Sequence, residues 1–285
     1  MCIENRQVAV IGLGLIGGSL AKAIKQNTDC TVFGSDLQNT VMKKAKVAGA
    51  IDEELTDSAL SRCDLVIVAL YPADTVAFIE KKAALFKKGA LVMDCCGVKE
   101  VVCAAAEPVA AEHGFLFMGG HPMAGLEHSG FAYSKKALFE RASMILTPAA
   151  GTPIAVVDAV KKFYLKLDFT NIQITTPAEH DRMIAFTSQL AHVVSSAYIR
   201  SPSALSHKGF SAGSYKDLTR VAKLNETMWT ELFLDNRQPL ATEIDGIIER
   251  LTQYSRAIRD GDAETLQTIL KDGRERKARI DGEHF

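Results

Sequence analysis

The sequence predicts an α/β doubly wound parallel sheet followed by an all-α helical domain. Three observations carry that prediction. Short, unbroken apolar runs recur through the first 175 residues, as expected of strands buried on both faces of a parallel sheet. A stretch of helical periodicity separates most of them, which is the alternation of a doubly wound fold. Beyond Thr176 the strand-like runs stop and only helical patterns remain.

Val8-Ala9-Val10-Ile11 is the first apolar run, and it ends in glycines. A helix is expected over Ser19–Gln26, a second strand over Thr31–Ser35 and a helix over Thr40–Val47. Leu65–Leu70 is apolar without alternation and leads to a helix over Thr75–Phe86. Ala90–Asp94 reads as the fourth strand, Lys99–His113 as a helix and Phe115–Met118 as the fifth strand. Ser143–Thr147 and Asn171–Thr175 read as further strands flanking a helix over Pro153–Lys166. Thr176-Pro177-Ala178-Glu179 then has the form of a helix start, with Thr as N-cap, Pro at the first helical position and Glu closing a capping box. Helical patterns follow over Ala178–Ile199, Tyr215–Leu224, Thr227–Ile258 with Pro239 as the candidate break, and Ala263–Ile280. The expected domains are therefore 1–175 and 176–285. Long helices in a domain of about 110 residues bury limited surface alone, so pairing of two copies through them is expected.

The formal net charge of −1 argues against nucleic acid as the main partner, since phosphate binding needs a basic excess. The basic stretch Arg274–Arg279 is interleaved with acidic residues and reads as a solvated helix face. No apolar run approaches the ~18 residues of a membrane span. Met1–Gln7 has neither a basic n-region nor an apolar h-region, so no secretion signal is expected. The cysteines, Cys2, Cys30, Cys63, Cys95, Cys96 and Cys103, form no C-x-x-C pair, and no histidine cluster has zinc-like spacing, so no metal is expected. Cys95 and Cys96 would point to opposite faces of a strand. Several cysteines sit in apolar stretches and behave as small hydrophobes, which suits a reducing, cytoplasmic compartment.

Gly12-Leu13-Gly14-Leu15-Ile16-Gly17 matches G-x-G-x-x-G between a buried strand and a helix. In that context Gly12 permits a tight turn, Gly14 lets backbone approach a pyrophosphate, and Gly17 lets helix and strand pack closely. The helix start offers N–H groups and a positive dipole end to the phosphates. Asp36 stands 19 residues after Gly17, at the end of the second strand. A carboxylate there accepts the ribose hydroxyls of NAD and repels the extra phosphate of NADP, and no arginine follows within Leu37-Gln38-Asn39 to compensate. NAD is therefore the expected cofactor.

His121-Pro122-Met123-Ala124-Gly125-Leu126-Glu127-His128-Ser129-Gly130 follows the fifth strand, after Gly119-Gly120. Ligands of such sheets bind at the carboxyl ends of the strands. The proline and glycines favour a shaped loop that would present His121 to a bound nicotinamide. A histidine titrating near neutrality suits removal of a hydroxyl proton as hydride leaves the carbon.

The string H-P-M-A-G-x-E-x-S-G, the glycine fingerprint continued by Gly18-Ser19, and Tyr215-Lys216-Asp217-Leu218-Thr219-Arg220-Val221-Ala222 followed by Trp229 together resemble the prephenate and arogenate dehydrogenase family. The resemblance runs from about Gln7 to Glu249. It implies a Rossmann domain, a helical dimerisation domain, a homodimer, and oxidative decarboxylation of prephenate to 4-hydroxyphenylpyruvate with NAD. Arogenate is the alternative substrate. It implies that His121 is catalytic, that Arg220 holds a substrate carboxylate, and that His192 faces substrate, with Lys216 and Trp229 near the pocket. Leu70, the last residue of the third apolar run, and Gly97, after the fourth strand, join Gly12 to Gly17 and Asp36 in the expected cofactor site. Glu127, six residues after His121, would attract the ammonium of arogenate or pair with a cation such as Arg220.

Two positions depart from the family's pattern. Asp94-Cys95-Cys96-Gly97-Val98-Lys99 replaces D-x-x-S-V-K, so Gly97 lacks a hydroxyl, and Gln189 stands where S-H-L-P-H has its first histidine. Two other readings share the architecture: a β-hydroxyacid or imine dehydrogenase relying on a catalytic lysine, and an NAD-sensing module. The histidine motif and Arg220 favour the aromatic pathway over both. A monofunctional enzyme is expected, without a chorismate mutase or regulatory domain.

Overall fold

Apolar runs buried on both faces build the centre of the protein, whose structure, a computed structural model, describes residues 6–282. The strands are β1 (Gln7–Ile11), β2 (Thr31–Ser35), β3 (Glu53–Glu54), β4 (Leu65–Val68), β5 (Leu91–Asp94), β6 (Leu116–Pro122), β7 (Ser143–Pro148) and β8 (Asn171–Ile174). They form one sheet in the order β3-β2-β1-β4-β5-β6-β7-β8. Because side chains alternate along a strand, Val8, Val10, Ile67 and Met93 feed a core on one face. Ala9, Ile11, Val66 and Val92 feed a second core on the other. The sheet is parallel except at β6–β7, which is antiparallel.

The helices between strands are α1 (Leu15–Asn27), α2 (Asn39–Val47), α3 (Asp57–Leu60), α4 (Pro72–Lys82), α5 (Glu100–His113) and α6 (Ile154–Lys166). Beyond the sheet come α7 (Pro177–Ile184), a π-helical turn (Ala185–Gln189), α8 (Leu190–Ile199), α9 (Gly213–Thr219) and α10 (Glu226–Asp235). Then follow α11 (Arg237–Asp260) and α12 (Ala263–Ile280). Two compact units result, Met1–Asn236 and Arg237–Phe285. The second is a helical hairpin that turns at Gly261, which has φ +65°, and the Asp262 carboxylate caps α12 by accepting from Thr265 N at 3.0 Å. No helix among the described residues is long and apolar enough to cross a membrane.

The expected doubly wound sheet is present, and the differences are local. The expected loop start at His121 is corrected: β6 runs on to Pro122, so His121 lies on the strand, opposite Ile145. Gly119 and Gly120 are needed for close packing rather than for a turn. A Cβ on Gly119 would stand 2.1 Å from Thr147 Oγ1, and one on Gly120 2.7 Å from the Asp94 carbonyl. Cys95 and Cys96 follow the end of β5 instead of lying on it, and Cys2 lies outside the described residues. The helix expected over Thr227–Ile258 breaks at Asn236, not Pro239. Pro239 falls in the first turn of α11, where its missing N–H costs little. The capping box forms by half: Thr176 Oγ1 accepts from Glu179 N at 3.2 Å, while the Glu179 carboxylate takes Arg182.

Candidate active site

The carboxyl ends of β1, β4, β5 and β6 share one edge of the sheet, and Gly12–Gly17, Leu70, Gly97 and His121 lie at these ends. Gly12, at φ +81°, turns the chain after β1, donating its N–H to the Ser35 carbonyl at 2.8 Å. A Cβ on Gly17 would lie 1.9 Å from Gly12 O, so this glycine is what lets α1 start against the turn. Gly14 is different: nothing stands within 4 Å of where its Cβ would be. The N-terminus of α1 has no side-chain cap and no acidic residue in its first turn, so its amides from Leu15 onward face that open space beside Gly14. This is a cradle for an anion approached by bare backbone.

Asp36 closes the cradle. Its carboxylate accepts from Leu13 N and from Gln38 N, each at 2.9 Å, which fixes it at the end of β2. Leu70 packs against Gly12, its Cδ2 2.7 Å from the position of a Cβ there. The residues present therefore fit a dinucleotide, with pyrophosphate at α1 and a ribose at Asp36. Gly97 faces Leu232 of α10, whose Cδ2 lies 3.4 Å from a Cβ built on the glycine. An apolar group thus adjoins the position where the related pattern carries a hydroxyl.

His121 is half-buried at the end of β6. Its Nδ1 lies 2.9 Å from Nε2 of His180, on α7. His180 Nδ1 lies 2.6 Å from Asp181 Oδ1. The Asp181 carboxylate also accepts the Lys99 and Glu100 amides, at 2.7 and 2.8 Å, which joins α7 to the start of α5. Asp94 and Lys99 form a fully buried ion pair beside this chain. Asp94 further accepts from Cys96 N at 2.8 Å and from Gly120 N at 3.1 Å, so the pair holds the residue preceding His121. Burial, then His180, then Lys99 hold His121 well below the ordinary histidine value. Burial also lowers His180, against the pull of its bond to Asp181. For Lys99, burial acts most strongly and would lower the amine, but Asp94, Cys96 and Cys103 together raise it further and the group stays charged. Burial pushes the Cys63 and Cys103 thiols up to about 12, so they pack as neutral groups.

His192, Trp229 and Arg220 come together. The rings of His192 and Trp229 stand 4.0 Å apart. The Nδ1–H of His192 donates to Ser188 O at 2.8 Å, which leaves its Nε2 as an acceptor. Its value is lowered by burial, against the Ser188 carbonyl, with the Arg220 guanidinium adding to the lowering. Arg220 caps the end of α9 and is exposed, as are Lys216 on the same helix and Glu127 in the segment after Pro122.

Gln189 is buried and occupied. Its Nε2 donates to Leu232 O at 3.0 Å and its Oε1 accepts from Asn236 Nδ2 at 2.7 Å. It braces α10 instead of offering a polar group to a ligand. Asn236 also donates to the Asp181 carbonyl at 2.9 Å. Sequence reasoning missed His180, Asp181, Asp94, Lys99 and Asn236. The signal for two of them was present: the Thr176 cap fixes the first turn, and the next residues are an adjacent histidine and aspartate.

A family model described as the nucleotide-binding domain of prephenate dehydrogenase matches residues 20–172, and one described as its dimerization domain matches residues 176–272. Prephenate dehydrogenase of Bacillus subtilis (strain 168) is 30% identical over 273 residues, which cover 93% of this chain and 73% of the relative. The crystal structure of prephenate dehydrogenase from A. aeolicus in complex with hydroxyphenyl propionate and NAD+ superposes with a TM-score of 0.85 at 27% identity, covering 96% of this chain and 98% of that one. Synechocystis arogenate dehydrogenase gives a TM-score of 0.81 at 25% identity, covering 96% and 99%.

Proposed function

This chain belongs to the prephenate dehydrogenase family, and on that footing we propose that it carries out the oxidative decarboxylation of prephenate to 4-hydroxyphenylpyruvate with NAD, in tyrosine biosynthesis. The observation that carries the reading is the position of His121. It stands on the same edge of the sheet as the Gly12–Gly17 cradle, three strands away, or about 14 Å at ordinary strand spacing. Leu70 and Gly97 lie after the two strands between.

NAD, when bound, supplies the hydride acceptor. The cradle from Gly12 to Gly17 would hold its pyrophosphate and Asp36 its ribose. The protein's own part is to orient the substrate and manage its charge. His121 accepts the ring hydroxyl proton as the carbinol carbon is oxidised. Arg220 offers a planar fork to a substrate carboxylate. The Nε2 acceptor of His192, backed by Trp229, faces the substrate, and Lys216 and Glu127 lie at the rim. Loss of carbon dioxide makes the ring aromatic and drives the step forward.

The helical domain from residue 176 onward serves as the dimerisation domain, and the protein works as a homodimer. Ile248, Leu251, Ile258, Leu270 and Ile280 of the hairpin are exposed large apolar residues, a pattern that suits burial against a second copy. No disulfide forms among the described cysteines, which suits a reducing, cytoplasmic setting.

The decisive experiment follows NADH formation by the purified protein given NAD and either prephenate or arogenate. Faster turnover of prephenate supports the reading. A clear preference for arogenate reassigns the substrate's side chain, with Glu127 as the first residue to replace. Silence with both, in protein that binds NAD, ends it.

A further inference from the structure

We propose that His180 and Asp181 form with His121 a closed proton relay, which takes the substrate's hydroxyl proton during oxidation and returns it to the same oxygen after decarboxylation. The substrate half of this inference rests on the function proposed above. The hydrogen-bond half belongs to the protein alone.

The direction of every bond in the relay follows from its far end. Asp181 accepts two backbone amides, and an ionised carboxylate only accepts. His180 Nδ1, 2.6 Å away, therefore carries the hydrogen. A neutral imidazole has one N–H, so His180 Nε2 is a bare acceptor. His121 Nδ1, at 2.9 Å from it, must then donate. That leaves His121 Nε2 as a lone pair on the half-buried ring. A carboxylate that never meets substrate thus decides which nitrogen of His121 is the base.

The charged groups around the two rings favour passing the proton inward. Lys99 disfavours positive charge on both histidines. Asp181 and Asp94 favour it on His180. A proton reaching His121 Nε2 can therefore be matched by transfer of the Nδ1 proton to His180 Nε2, which places the cation against Asp181. His180 and Asp181 are almost fully buried.

The chemistry needs only such a loan. The hydride leaves the carbinol carbon with its electron pair, and the hydroxyl proton goes to His121. The bond to the carboxylate carbon then breaks, releasing carbon dioxide, and its electron pair moves through the ring to the oxygen as phenolate. The two protons step back, His180 to His121 and His121 to oxygen, giving the phenol. The substrate is oxidised, the hydride acceptor is reduced, and no proton is gained or lost.

Selective 15N-histidine NMR on the substrate-free protein tests the first half. The expected result is a His121 protonated at Nδ1 and bare at Nε2; protonation at Nε2 instead overturns the relay, whatever the substrate proves to be. Turnover of His180→Gln tests the second half. The glutamine amide oxygen reaches the place of His180 Nε2, so it can still accept from His121 Nδ1, yet it cannot take a proton. We expect the His121 tautomer to survive and kcat to fall roughly tenfold to a hundredfold, less than the roughly 10²–10⁴-fold of a base lost outright, with KM nearly unchanged. Wild-type kcat in this variant would mean that His180 only positions the ring, and would overturn the proposal.

Discussion

Lys99 pairs with Asp94 where neither side chain has any exposed surface. Removing one partner of such a pair strands a charge in the interior, which costs about 3–5 kcal/mol. Lys99→Met should therefore lower the unfolding free energy by that amount in urea titrations. A loss below about 1 kcal/mol would mean that Asp94 takes up a proton in the variant and that the pair is not needed for stability.

His121→Asn removes the proposed base and leaves the Gly12–Gly17 turn untouched. Activity should fall roughly 10²–10⁴-fold, the usual range for acid–base help. NAD affinity, followed by fluorescence titration, should stay within a factor of about two, since none of the cradle's contacts involve His121. Near-normal turnover would remove His121 from the chemistry.

Arg220→Gln should act on binding. Losing a charge-assisted fork to a carboxylate costs about 1.5–3 kcal/mol, or a ten- to hundredfold rise in KM. An unchanged KM would place Arg220 outside the site.

The same substitution at two glycines should give opposite results. Gly17→Ala forces a Cβ to within 1.9 Å of the Gly12 carbonyl, so α1 must shift and the protein should be destabilised and unable to bind NAD. Gly14→Ala meets nothing within 4 Å. It should fold normally, with a melting temperature near that of the parent, and still lose NAD affinity, because the new methyl occupies the path of the pyrophosphate. Equal melting temperatures for the two variants would contradict the packing role of Gly17.

Stability should fall in mild acid. His121 and His180 are held below the ordinary histidine value in the folded state, so the unfolded chain binds more protons below about pH 6.5. Their contribution is complete above that pH and is lost as pH drops toward their folded values, by up to about 1.4 kcal/mol per pH unit for each. Urea midpoints measured between about pH 7 and pH 5 should show this slope, and His180→Asn should lose one histidine's share of it. An unaltered slope would show that His180 titrates normally.

Local signals account for what could be read in advance. The Gly12–Gly17 turn, Asp36 and His121 sit at the carboxyl ends of β1, β2 and β6, so their meeting at one edge follows from the parallel order of those strands. Gly119 and Gly120 misled, because two glycines resemble a turn until Thr147 and Asp94 are known to press on them. That pressure comes from residues up to 28 positions away in the chain, beyond any window of periodicity. Gln189 misled in the same way. Its amide is spent on Leu232 and Asn236, which lie more than 40 residues later. Polar residues that satisfy each other inside a fold carry no local mark of which partner they will find.

The π-helical turn at Ala185–Gln189 has a consequence for how the helix may change in length. It holds one residue more than an α-helical turn would, and so offsets the angular phase of everything after it by about 100°. Gln189 points into the bracing bonds with α10, while His192, three residues later, reaches Trp229. Deleting a single residue here would restore regular winding and leave His192 on the face it now shares with Trp229, because the wide turn already absorbs one residue's worth of rotation. The wide turn itself sets the azimuth of this side chain: the same sequence wound as a regular α-helix would aim His192 about 100° away, like a turned dial, leaving each residue's identity intact and changing the direction in which it looks.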